Sequence, residues 1–139
     1  MTSQLSTLAA LPLMAAAGYF FFSIYVLAQN GAKQADKKHL WLIPAVLSLC
    51  FLAFSLRAVL SEGVFGFWPE HTRNVWGNQI WFDLLLAVGV SWYFVVPKAR
   101  VLGMRLWPWW LFILCTGSIG LLATVARISY LNARVAQNQ

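Results

Sequence analysis

The chain has 139 residues, of which 60% are hydrophobic and only 10% are charged, with a formal net charge of +6. A soluble domain carries about 25% charged residues, and a globule of this size has too little interior to hide the excess apolar surface from water. The basic residues flank apolar blocks and form no patch interleaved with exposed aromatics, so the positive charge does not indicate nucleic-acid binding. The composition excludes an ordinary soluble domain and indicates an integral membrane protein.

Four apolar blocks are long enough to cross a bilayer. A spanning helix needs about 20 mainly apolar residues, because the hydrocarbon core is about 30 Å thick. The apolar runs are continuous, whereas a membrane β-barrel has short alternating segments of about 10 residues. The sequence therefore predicts an all-α fold, a four-transmembrane-helix antiparallel bundle that forms a single transmembrane domain over residues 1–139. The predicted helices are approximately Leu5–Ala28, Leu40–Leu60, Trp76–Val96 and Trp107–Ile128.

The first block is predicted to be a retained helix. Ala15-Ala16-Ala17 resembles a signal-peptide cleavage site, but the apolar run continues to Ala28. No Lys or Arg precedes the run, so the basic start of a signal peptide is missing.

Charges in the connections predict the orientation of the spans. In a four-span topology the first and third connections share one side, and both chain ends share the other side with the second connection. The first side carries the larger basic group: Lys33, Lys37, Lys38, Lys98, Arg100 and Arg105. The second side carries Arg57, Arg73, Arg127 and Arg134 together with two glutamates. Because basic connections stay in the cytoplasm, the sequence predicts an N-out, C-out protein of the bacterial inner membrane.

Small residues recur at intervals of four in the fourth block. They are Thr116, Gly120 and Thr124, with Gly117 beside them. Small residues at this spacing let two helix backbones approach closely in a membrane. Two interpretations remain open, packing within the chain or a seam for a second copy or another partner.

Three ionisable residues fall inside the predicted spans and form the one candidate polar site. Arg57, Asp83 and Arg127 would lie at similar depths on the outer side, where an intramembrane charge usually has a partner or a wet cavity. One interpretation is a structural charge pair between helices. The other is a pocket that holds an amphiphile's headgroup or transfers protons, with Asp83 or Glu70 as the acid or base. The neighbouring polar residues at that level are Asn78, His71 and Arg73.

The sequence contains no residue pattern typical of a haem or zinc site. The two histidines, His39 and His71, lie near helix boundaries and do not suit axial haem ligation, and no Cys/His spacing suits zinc. Cys50 and Cys115 lie within apolar blocks and are predicted to be packing residues. No metal and no cofactor is expected, other than a bound lipid or isoprenoid.

The C-terminal half carries a series of motifs. They are Trp76, Asp83-Leu84, Trp92, Ala99-Arg100, Gly103-Met104, the run from Gly117 to Leu122, and Arg127. With them the chain resembles an uncharacterised family of small bacterial four-helix membrane proteins, a domain of unknown function. It is more distantly similar to the membrane protein of plant and cyanobacterial neoxanthin synthesis, of the abscisic-acid-deficient type. The second resemblance implies a carotenoid role with Asp83, Arg100 and Arg127 as the positions carried over.

Three classes of function follow from these observations. The first is a non-catalytic accessory or assembly subunit, or a lipid-binding protein, of a membrane complex. Its expected partners are membrane lipids and either a membrane protein or a second copy. The alternative is an intramembrane enzyme of the isomerase type that acts on an isoprenoid or carotenoid, with Asp83 in proton transfer. The third is an oligomeric channel or exporter.

Overall fold

The computed structural model describes residues 2–29 and 39–137, and there the chain forms helices joined by turns. In chain order the helices are α1 (Thr2–Gln29), α2 (Leu42–Glu62), α3 (Phe67–Thr72), α4 (Val75–Val101), α5 (Leu106–Thr116) and α6 (Ser118–Gln137). The prediction of an all-α fold is confirmed. Lys33, Lys37 and Lys38, on which the predicted orientation partly depends, lie outside the described residues.

The chain divides into two compact units, Met1–Asp36 and Lys37–Gln139. The first unit contains α1, a 28-residue helix with Pro12 inside it. Large apolar side chains on α1 are exposed, among them Tyr19, Phe20 and Phe21. Ser23 satisfies its hydroxyl within the helix by donating to the carbonyl oxygen of Tyr19, at 2.8 Å.

The second unit contains two helices that are long and apolar enough to cross a membrane, α2 and α4. At most 6% of the apolar window of either helix is buried inside the protein. The core helix of a soluble protein would be covered by its neighbours. By length, composition and exposed apolar surface, these two helices could therefore cross a membrane.

Helix α6 lies at the centre of the second unit, in contact with α2, α4 and α5. Five of its residues are buried, namely Ile119, Gly120, Thr124, Ala126 and Ile128. Two contacts fix its direction relative to α2. The Ser48 hydroxyl donates to the carbonyl oxygen of Ile119 at 3.0 Å, and the Trp41 ring lies edge-on to Tyr130 with centroids 5.5 Å apart. The earlier residue, Trp41, contacts the later part of α6, and the later residue, Ser48, contacts the beginning of α6. The two helices are therefore antiparallel.

The helix predicted over residues 107–128 is interrupted at Gly117. This residue has a φ of +58°, a conformation that L side chains rarely adopt, and its N–H donates to the carbonyl oxygen of Ile113 at 2.6 Å. The chain then folds back, because a Cβ on Gly120 would lie 2.8 Å from the Cα of Ile113. In a continuous helix these two residues would be separated by about 10 Å along the axis.

The Thr116 hydroxyl connects the two helices of this turn. It donates to the carbonyl oxygen of Phe112 at 2.6 Å and accepts from the N–H of Gly120 at 3.0 Å. One side chain thus holds the end of α5 and satisfies an amide in the first turn of α6, which has no partner within its own helix.

This turn gives α6 a direction that differs from the four-span prediction. In the four-span prediction the fourth helix runs parallel to the second. The observed α6 runs antiparallel to α2, because Gly117 reverses the chain in the middle of the fourth apolar block. The C-terminal part of α6 therefore lies beside the start of α2 and not beside its end.

We predict that Gly120→Ala destabilises the protein whereas Gly89→Ala does not. A methyl group on Gly120 overlaps the backbone of Ile113, and overpacking of this kind costs about 1–3 kcal/mol. A methyl group on Gly89 meets nothing within 4 Å, and Ala is favoured over Gly inside a helix by about 1 kcal/mol. The free energy of unfolding, measured by SDS titration in mixed micelles, compares the two variants. Equal stabilities would contradict the close approach of α5 and α6.

Candidate functional site

The structure does not bring Arg57, Asp83 and Arg127 together. All three side chains are exposed. Within residues 2–29 and 39–137, the ion pair that forms is Arg73 with Glu70, at 3.6 Å, and both of its side chains are mostly exposed. Arg127 is displaced from the predicted cluster because α6 runs back towards the start of α2.

Arg127 takes part in a different cluster, formed around Tyr130. The guanidinium of Arg127 lies 5.7 Å from the centroid of the Tyr130 ring, and that of Arg134 lies 5.6 Å from it. Trp41 contacts the same ring edge-on. Both guanidinium groups lie within the range of a cation–π interaction, worth about 0.5–1 kcal/mol each at an exposed site. The cluster joins α6 to the start of α2 and presents two positive charges at the surface.

The second predicted group of polar residues belongs to a local cap between α3 and α4. Phe67 stacks on Trp81 with ring centroids 5.8 Å apart, and His71 lies edge-on to Trp81 at 5.1 Å. The Nδ1 atom of His71 lies 2.6 Å from the carbonyl oxygen of Phe67. The two contacts with Trp81 join α3 to α4, and the contact between His71 and Phe67 lies within α3, so the cap serves to hold α3 against the first turns of α4.

The start of α4 explains why this cap is tight. The Asn74 side chain accepts from the N–H of Gly77 at 2.8 Å and caps the helix, and Asn78 donates to the carbonyl oxygen of Asn74 at 3.3 Å. A Cβ on Gly77 would lie 2.7 Å from the carbonyl oxygen of Glu70. The predicted site residues Glu70, His71, Arg73 and Asn78 therefore make local contacts within α3 and the start of α4.

Neither candidate acid or base gathers a catalytic set. Asp83 has no hydrogen bond or ion pair with any other described side chain, and Glu70 is engaged with Arg73. Among the described residues, no three His, Cys, Asp or Glu side chains lie close enough together to hold a metal ion. The small residues Thr116, Gly117, Gly120 and Thr124 all lie in or next to the α5–α6 turn, where Thr124 is completely buried and donates to the carbonyl oxygen of Gly120 at 2.7 Å.

The structure contains a groove that the sequence did not predict. A groove of about 340 Å³ lies between the last turns of α4 and the first turns of α5. Three tryptophans and one arginine dominate its lining, which consists of Trp92, Val96, Arg100, Leu106, Trp107 and Trp110. The Trp107 and Trp110 rings meet edge-on with centroids 5.3 Å apart, and the Trp107 side chain is 77% exposed. The groove is open, aromatic on most sides, and charged at Arg100.

The spacing of the groove residues along the sequence indicates which of them share a helix face. Trp92, Val96 and Arg100 follow one another at intervals of four and share one face of α4, while Trp107 and Trp110 share a face of α5. A guanidinium beside apolar walls can bind a phosphate or carboxylate through two parallel hydrogen bonds. This arrangement can bind an anionic amphiphile, and it holds no second group for acid–base chemistry.

No family model, curated protein or solved structure matches the chain.

We predict that Tyr130→Leu lowers stability, because it removes a ring that two arginines and Trp41 contact. The loss should be about 1.5–3.5 kcal/mol, the sum of about 0.5–1.5 kcal/mol for one aromatic pair and about 0.5–1 kcal/mol for each of two cation–π contacts. Tyr93→Leu is the matched control, since Tyr93 is 74% exposed on α4. Thermal denaturation in detergent measures both. A Tyr130→Leu variant as stable as Tyr93→Leu would show that the cluster does not hold α6 to α2.

Proposed function

We propose that the protein is integral to the membrane, that α2 and α4 cross the bilayer, and that α1 is a further span. Helices α2 and α4 have 21 and 27 residues, and a span needs about 20. Their mostly exposed apolar side chains support a lipid environment. The first unit contains the 28-residue helix α1, which has exposed aromatic and aliphatic residues.

In this arrangement α5 and α6 form a re-entrant hairpin in place of the fourth predicted span. Two consecutive spans run in opposite directions, so the end of α4 and the start of α2 share one side of the membrane. Helix α5 begins on that side and, with 11 residues, rises about 16 Å, or half of the hydrocarbon thickness. Helix α6 passes Trp41 at Tyr130 and so returns to the same side. Turns at membrane depth are tolerated when protein groups satisfy their backbone, as Ile113 does for Gly117.

The hairpin collects basic residues on one side of the membrane. That side carries Lys98, Arg100, Arg105, Arg127 and Arg134, and no acidic residue among those that the structure describes. The opposite side carries Arg57 and Arg73 with Glu62, Glu70 and Asp83. The positive-inside rule then assigns the basic side to the cytoplasm. Compared with the four-span prediction, this moves the end of α6 to the cytoplasmic side and strengthens the charge asymmetry.

Single-cysteine labelling tests this topology. In a chain with Cys50 and Cys115 replaced by Ala, the variants Val101→Cys, Gln137→Cys and Phe65→Cys report on α4, on α6 and on the connection after α2. A membrane-impermeant maleimide applied to sealed vesicles of known orientation should label positions 101 and 137 from the same side and position 65 from the other. Labelling of 137 together with 65 would restore the four-span topology and exclude the hairpin.

We also propose that the groove at Arg100 binds the anionic headgroup of a membrane lipid, which makes the protein a non-catalytic lipid-binding protein. The observation that carries this is the position of Arg100 among Trp92, Trp107 and Trp110. Tryptophan rings favour the headgroup level of a bilayer. At that level a guanidinium meets phosphate, while the indole rings and Val96 offer an apolar wall to the upper part of an acyl chain.

We predict that Arg100→Gln reduces the preference for an anionic lipid by about tenfold, because a charge-assisted hydrogen bond is worth about 1.5–3 kcal/mol. The protein is reconstituted with an equimolar mixture of phosphatidylglycerol and phosphatidylcholine. Native mass spectrometry then gives the ratio of the two lipids retained after release from the membrane.

Arg105→Gln is the matched control. Arg105 is exposed, carries the same charge on the same side, and precedes α5 without lining the groove. The wild type and the Arg105→Gln variant should retain phosphatidylglycerol alike, and only Arg100→Gln should lose it. An equal loss in both variants would indicate a diffuse attraction to anionic lipid and would reject a specific site in the groove.

A further inference from the structure

We infer that Asp83 on α4 of one copy pairs with Arg57 on α2 of another, so that the protein associates with itself within the membrane. The inference rests on α2 and α4 spanning the bilayer, as proposed above. It is independent of whether the groove at Arg100 binds a lipid.

Arg57 and Asp83 both point away from the interior of the second unit. Arg57 is nine residues from Ser48, whose buried hydroxyl contacts α6. Asp83 is nine residues from Trp92, which faces α5 across the groove. Nine residues make about two and a half turns of an α-helix, so each charge lies on the opposite face of its helix from that contact. The exposure of both side chains agrees with this geometry.

The two charges lie at comparable depths on the same side of the membrane. Arg57 precedes the end of α2 by five residues, or about 7 Å, and Asp83 follows the start of α4 by eight residues, or about 12 Å. The arginine side chain is long enough to reach across the difference, and the short carboxylate of Asp83 cannot reach the water by extending along the helix. Rotation about an axis normal to the membrane keeps every residue at its own depth, so a second copy presents Arg57 near the level of Asp83.

A lipid environment suits the other residues on these two helix faces, which are apolar, but it does not suit the two charges. Exposed residues around them are large and apolar, such as Phe54 and Leu56 on α2 and Phe82 and Leu86 on α4. Ionisable residues in a membrane span pair with one another or face a wet cavity. Each chain offers one exposed acid and one exposed base of this kind, so two copies are complementary in charge without any further partner. In the described part of the chain, neither residue forms an ion pair with another side chain.

A charge-reversal experiment tests the pairing. Copies labelled with donor and acceptor fluorophores are reconstituted at low density in phosphatidylcholine vesicles, and energy transfer between copies is measured. Asp83→Arg should weaken self-association by about tenfold or more, and Arg57→Asp should do the same, because each places like charges opposite one another. A mixture of the two variants should regain the transfer of the wild type. In the mixture the arginine introduced at position 83 faces the aspartate introduced at position 57 of the other variant, and each native Asp83 faces a native Arg57.

Three comparisons decide the outcome. Arg73→Asp reverses a charge at the end of α3, outside the spans, and should leave transfer unchanged. Wild-type transfer in both single variants would overturn the inference, and so would a mixture that fails to recover while both variants keep the native helix content. If a reversal prevents folding, Asp83→Asn and Arg57→Gln are measured in the same way, and undiminished transfer in both overturns the pairing. Failure of the membrane topology itself would show separately, in the cysteine labelling of the wild type.

Discussion

The close approach of Gly120 to the backbone of α5 is the constraint on which the rest of the second unit depends. Because no side chain separates the two backbones there, the chain can reverse at Gly117 within one turn. The reversal sends α6 back along α2 and lets it contact α2, α4 and α5. It also decides which charges share a side, since Arg127 and Arg134 travel with α6 to the start of α2. A straight helix through the same residues would carry those arginines to the opposite end.

The central position of α6 follows from its composition. It contains Thr124, Ser129 and Asn132 together with two arginines, whereas α2 and α4 are nearly continuous apolar runs. A soluble protein places its most apolar helix in the middle, whereas helices in a membrane associate through close backbone contact and hydrogen bonds. Both are visible here, in the hydroxyl of Ser48 on the carbonyl oxygen of Ile119 and in the complete burial of Thr124. The apolar helices are left to face outwards.

Composition was enough to predict the long apolar helices, whereas the turn at Gly117, which depends on a few residues, was not predicted. Continuous apolar runs predicted helices at 5–28, 40–60 and 76–96, where the structure has α1, α2 and α4 with ends that differ by one to five residues. The turn at Gly117 was missed because apolar residues flank it on both sides, so hydropathy does not change there. Its signal is local: Thr116-Gly117-Ser118 combines a glycine suited to a helix C-terminus with a hydroxyl that caps the next helix. The predicted cluster of Arg57, Asp83 and Arg127 was derived from topology alone. The observed direction of α6 differs from the predicted one and places Arg127 near the start of α2 instead. The spacing within α4 and α5 indicates which residues share a face, but the groove at Arg100 also depends on how the two helices are placed relative to each other, which that spacing does not provide.

The charges of this protein differ in the partners that their surroundings supply. Glu70 and Arg73 lie at a helix end and satisfy each other in solvent, where such a pair contributes little. Arg127 and Arg134 share the ring of Tyr130 and hold α6 in place. Arg100 lies among the indole rings of Trp92, Trp107 and Trp110, and in the proposed function its hydrogen-bond donors bind the lipid headgroup. Asp83 and Arg57 have no such supply, because in the proposed topology their neighbours are apolar and an unpaired charge within a span costs about 2.5–3.5 kcal/mol at the helix centre. The local pairs show that a charge is stabilised by a partner. In the described part of a single chain, Arg57 and Asp83 are the two span charges that lack one.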